Sequence, residues 1–178
     1  MRSCTLAFLA LLAAGSAHAV TLVPMTLDDI VRGADVALYG RVARVEGRWT
    51  ADRRRIESLV TLDVVETLKG AARERLRFAL PGGQAGDRVQ VIPGAPALRE
   101  GDLVVVFLAS EGPALPRPVG WTQGVLPVTP DVRTGAPLVS APLRGEPGSR
   151  VTRGSAARAP VTVAALTALV RAIDGDAR

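Results

Sequence analysis

From Val36 the chain alternates with a period of two: Val36, Leu38, Gly40 and Val42 interleave with Ala37, Tyr39, Arg41 and Ala43. Successive side chains on a strand point to opposite faces, so this run predicts a β-strand. After the polar turn RWTADRRR, a longer run places Ile56, Val60, Leu62, Val64 and Leu68 on one face and closes at Lys69-Gly70. A short polar connection between two such runs predicts an antiparallel pair. Leu76, Phe78 and Leu80 alternate with Arg75 and Arg77 in a third strand, stopped by Pro81-Gly82-Gly83. Val89 and Val91 predict a short fourth. EGDLVVVFLA reads as a turn and a nearly continuous apolar strand, and PVGWTQGVLPV as a further strand bent or bulged at Gly120 and Gly124. A last strand-sized piece, APLVSAPLRG, is expected to pair across PDVRTGAP.

Two helices flank these strands. Thr26 has the chemistry of an N-cap, Asp29 follows three residues later, and Leu27, Ile30, Val31 and Ala34 fall at helical spacing around a breaking Gly33. Thr162 caps a terminal helix over 162–174, with Val163, Leu166, Leu169, Val170 and Ile173 on one face and Gly175 as its stop. Prolines and glycines crowd 127–160, which predicts turns and ordered coil there. The expected fold is mainly β: a small closed β-barrel of about five strands with a short N-terminal helix and a C-terminal helix. Leu38, Val60, Leu62, Val64, Phe78, Val105 and Phe107 form its expected core.

The first nineteen residues set the expected compartment. Arg2 supplies a positive start, Leu6 to Ala14 an apolar run too short to span a bilayer, and Ala17-His18-Ala19 a cleavage site, so residues 1–19 read as a signal peptide. The expected product, residues 20–178, is one exported domain, periplasmic or secreted, with no transmembrane segment. Its longest apolar stretch, Leu103 to Ala109, is only strand-sized.

Cleavage also removes Cys4 and His18, the only cysteine and histidine, and the chain has no asparagine. No Ser-His-Asp, Cys-His or Cys-His-Asn set can then be assembled, nor a zinc site with imidazole or thiolate ligands. A carboxylate pair, a Ser-Lys dyad using Lys69, or a hard cation held by carboxylates are the options left. Glu57 with Asp63 or Glu66 is the leading acid pair, but it falls on what reads as the wet face of the second strand. Asp28-Asp29 and Asp174-Gly-Asp176 offer too few oxygens for a calcium loop. The expectation is a protein that is not an enzyme, with no cofactor and no metal site.

Charge narrows the partners. Lysine and arginine number 22 against 17 acidic residues, and the one dense cluster, Arg53-Arg54-Arg55, lies at an expected hairpin tip beside Trp49. Such a tip suits anionic envelope polymers or phospholipid headgroups. Beyond the leader only Tyr39, Trp49, Phe78, Phe107 and Trp121 are aromatic, and most alternate inward, so stacking platforms for nucleic acid are missing and no nucleic-acid partner is expected.

The order VTLVP, short helix, ADVALYGRVARV, long strand ending in LKG, GDLVVVFL, and a strand beginning near VGWTQG resembles the netrin-like domain, the OB-fold barrel of the tissue inhibitors of metalloproteases. That family's mature chain opens Cys-Thr-Cys-Val-Pro; here Val20-Thr21-Leu22-Val23-Pro24 matches at Thr, Val and Pro. Ala34-Asp35 and Lys69-Gly70 match its strand boundaries, and the resemblance covers about residues 20 to 128. Val20 and Leu22 replace the family's cysteines, so its disulfides cannot form. The resemblance implies an OB-like barrel and a secreted or periplasmic metalloprotease as partner. It also implies a metal-chelating α-amine and carbonyl at Val20 and a pocket-entering side chain at Thr21. The alternative is an envelope structural or adaptor protein binding anionic polymer or another envelope protein. Candidate partner-binding residues are therefore Val20, Thr21, Leu22, Val23, Pro24, Arg53, Arg54 and Arg55.

Overall fold

Thr26 starts the first helix. Its hydroxyl accepts the Asp29 N–H at 3.1 Å while the Asp29 carboxylate accepts the Thr26 N–H at 3.1 Å, a reciprocal cap that satisfies two otherwise orphaned donors. The resulting α1, Leu27–Gly33, buries Leu27, Ile30 and Val31. It belongs to a computed structural model that describes residues 24–139 and 159–176. The strands follow as β1 (Val36–Trp49), β2 (Ile56–Lys69), β3 (Arg75–Pro81), β4 (Gly83–Ala85), β5 (Arg88–Gln90), β6 (Leu103–Ala109), β7 (Arg117–Pro118), β8 (Val125–Pro130), β9 (Pro137–Val139) and β10 (Val161–Thr162), and α2 (Val163–Gly175) ends the fold.

All pairings are antiparallel. One sheet runs β10-β9-β8-β6-β1-β2-β3, with β7 beside β6, and β4-β5 form a separate hairpin. β1 and β2 are 14 residues each, and their ladder is interrupted where Leu68, Val65 and Ala43 have no partner opposite. Each bulge bends the strand and shifts which face later residues occupy. Val42 and Val45 consequently share a face across Ala43, whereas Leu68 sits opposite Val60 and Leu62.

Both faces of the sheet are therefore apolar, and there are two cores. Ala37, Tyr39, Val105, Phe107, Leu126 and Val128 pack under α1 and α2. Leu38, Val60, Leu62, Phe78, Val104 and Val106 pack on the opposite face, where the sheet curls upon itself. The single expected core is corrected on this point: Val105 and Phe107 belong under the helices, and Val64 is only partly buried at the edge of the other cluster. The continuous apolar run of β6 has this cause, since a strand covered on both sides has no wet face to alternate with.

The sheet is mainly β with helices at both ends, and no closed barrel is detected. β3 is bridged to the residue just before β7 by the Ala79 N–H donating to the Pro116 carbonyl at 3.0 Å. Two strand expectations also shift. The expected fourth strand is Arg88–Gln90, which ends before Val91 and pairs only with Gly83–Ala85, and both valines are exposed. The stretch read as one strand at PVGWTQGVLPV is broken into β7, a 3-10 turn at Trp121–Gly124, and β8. β9 does pair with β8 across the Asp131 turn, while Ser140 and the rest of its expected strand lie outside the described residues. α2 begins as expected, with the Thr162 hydroxyl accepting the Ala165 N–H at 3.2 Å.

Candidate partner-binding surface

The β1–β2 tip is built by its own polar groups. Thr50 N–H donates to the Arg55 carbonyl and Arg53 N–H to the Thr50 carbonyl, each at 2.8 Å, and Arg53 takes a positive φ of 55°. Asp52 accepts from the Thr50 hydroxyl and, at 3.1 Å, from the Arg54 N–H. These bonds, the hydroxyl's first, hold its carboxyl below the usual aspartate range. Arg53, Arg54 and Arg55 are all exposed.

Behind the tip, Glu57 is only 7 % exposed, which corrects its placement on a wet strand face. Arg48 stands directly across the ladder from it and reaches Oε1 from Nη2 at 2.8 Å and Nε at 3.0 Å. Arg117, brought in by β7, reaches Oε2 at 2.8 Å. The other acids have separate cations: Asp63 binds Arg75 at 2.6 Å and Glu66 lies 3.9 Å from Arg171. Lys69 donates to the Val31 carbonyl at 2.7 Å and pairs with Asp174 at 3.3 Å, tying α1 to α2. Among the described residues no three His, Cys, Asp or Glu side chains gather to hold a metal ion, and no helix is long and apolar enough to cross a membrane.

At the other candidate, Val20, Thr21, Leu22 and Val23 lie outside the described residues, and Pro24 is exposed. The next residue is anchored: Met25 N–H donates to Gln123 Oε1 at 2.7 Å, and its sulfur packs so closely on Gly120 that a Cβ there would collide with it. Gly120 has φ 59° and Trp121 φ 62°. Glycine takes that conformation freely, but for tryptophan it costs about 1–3 kcal/mol and persists only where the surroundings enforce it. Trp121 is 47 % exposed at the rim of a cavity of about 510 Å³. Arg55, Leu80, Leu115, Arg117 and Val119 line the same cavity.

One groove thus joins Arg55 to the turn that holds Met25, whereas Arg53 and Arg54 do not line it. Met25, Trp121 and Gln123 were not singled out from the sequence. The signal was present, since Gly-Trp-Thr-Gln-Gly two residues after a proline is turn composition, and an indole cannot alternate into a core from a turn. Comparisons with protein families, characterised proteins and solved structures find no match to this chain.

Proposed function

We propose that this chain is an exported, non-enzymatic module that binds another protein through the segment leading into Met25, with a secreted or periplasmic metalloprotease as the partner class. The observation that carries this reading is Trp121, held half-exposed in a left-handed conformation at a groove rim, against the turn that pins Met25. Tryptophan is among the side chains on which interfaces concentrate their energy. A strained backbone conformation at an exposed side chain is consistent with a binding role.

The anchor also lowers the cost of using the preceding chain. Met25 is fixed by Gln123, and Pro24 restricts the backbone before it, so less freedom is lost on association. Cleavage after Ala19 leaves Val20 to Pro24 ahead of that anchor, a reach of about 17 Å when extended. The new α-amine, with a pKa of about 7.7–8.0, is partly neutral at pH 7 and able to donate to a protease zinc, with Thr21 entering the adjoining pocket. The curl of β1, β2, β3 and β6 around one apolar cluster, bridged from Ala79 to Pro116, supports an OB-like barrel as the platform.

A panel of secreted zinc proteases tests this with two proteins, one starting at Val20 and one carrying a single added N-terminal alanine. Inhibition by the first alone is the expected result. Equal inhibition by both, or none by either, overturns the metal-directed mechanism.

A further inference from the structure

We propose that the end of the molecule formed by the β1–β2 tip and the β4–β5 hairpin docks on an anionic lipid bilayer. This does not rest on the protein-binding reading, which concerns the Trp121 groove. The two hairpins are fastened together. Gly47 lies so close to the Gln84 backbone that a Cβ would overlap its carbonyl, Ile56 N–H donates to Gln90 Oε1 at 2.6 Å, and Gly82 N–H donates to the Ile56 carbonyl at 2.9 Å.

This shared end combines two chemistries. Trp49 is 42 % exposed on one hairpin, and Val89 and Val91 are 65 % and 81 % exposed at the other. Those are three of the six large apolar side chains exposed among the described residues. Arg53, Arg54 and Arg55 on the first hairpin and Arg88 on the second are exposed, against Asp52 and Asp87. Asp52 is occupied within its own turn, and Arg48 is held by Glu57. Val89 and Val91 also wall a cavity of about 620 Å³ whose lining carries no charged side chain, with Val45, Leu80, Ile92 and Leu98 beside the polar Ser58, Gln84 and Gln90.

A soluble polyanion would use the arginines and leave the valines in water. A bilayer surface uses both: guanidinium groups meet phosphates, an indole sits at the headgroup boundary, and small apolar tips enter the acyl region beneath it. Negative surface potential supplies the attraction that draws the arginines down.

The test is co-sedimentation of the protein starting at Val20 with vesicles of phosphatidylcholine alone or mixed with phosphatidylglycerol. Binding is expected only with phosphatidylglycerol and is expected to collapse at about 0.5 M salt, where the Debye length is about 4 Å. Changing Arg53 and Arg54 together to serine, which leaves the groove-lining Arg55 in place, is expected to weaken binding about thirtyfold. Val89→Ser with Val91→Ser is expected to weaken it about tenfold while the salt dependence remains. In a Trp121→Phe chain the sole tryptophan is Trp49, and its emission is expected to shift to the blue on the anionic vesicles. Thermal melts of each variant check that the fold is kept. Equal binding to both vesicle types, or binding that neither set of substitutions alters, overturns the proposal. So does a valine pair without effect, which leaves only a polyanion contact, and so does the absence of binding.

Discussion

Glu57 sits between Arg48 and Arg117 with almost no access to water, and what it does for stability depends on leaving neither charge type alone. Both arginines are half exposed, so they recover solvation when the carboxylate is lost, and the full penalty of a broken buried pair does not apply. Glu57→Gln is expected to cost about 1–3 kcal/mol in urea unfolding. A cost indistinguishable from zero would mean that the three groups are not held together in solution. Thr167 presents the opposite case. Its hydroxyl is buried in α2 and is the buried side-chain group without a hydrogen-bond partner among the described residues. Replacing it with valine removes a desolvated polar atom at nearly constant shape, so Thr167→Val is expected to be neutral or to stabilise by about 1 kcal/mol. Clear destabilisation in a thermal melt would show that the hydroxyl has a partner.

At the scale of elements, the cap of α1 sets a pH dependence. The Thr26 hydroxyl, then the Thr26 N–H, hold the Asp29 carboxyl below the usual aspartate range. A folded-state pKa lowered in this way adds stability that is fully present above the ordinary value of about 3.9 and is lost as pH falls through the depressed one. Thr26→Ala is expected to cost about 1 kcal/mol near neutral pH, with the gap to the parent narrowing in acid. A gap in thermal melts that stays constant down to pH 2 would contradict the cap. This element was legible in the sequence because a capping box is local: the residues that make it lie three apart. The strands were legible as alternation for the same reason. Their faces were not, because the unpaired Val65, Leu68 and Ala43 reverse the alternation only once partner strands are known.

At the scale of the whole molecule, two cores on one sheet join these elements among the described residues. Leu62 is fully buried in the curled face, and Leu62→Ala is expected to cost about 2–5 kcal/mol in urea unfolding. A loss below about 0.5 kcal/mol, the usual surface value, would break the register described for β2. The arginine tip was legible as a charge run. The Trp121 groove was not, since Met25, Arg55 and Trp121 are far apart in the chain and meet only after folding, and Gly120 reads equally as a strand bulge or a turn. A protein-binding role at that groove is tested most directly with a Trp49→Phe chain, in which Trp121 is the sole tryptophan. Titrated with a panel of secreted zinc proteases, its emission is expected to shift to the blue and saturate with at least one of them as the indole leaves water. Emission unchanged across the panel, with the fold intact by its melt, would contradict that role.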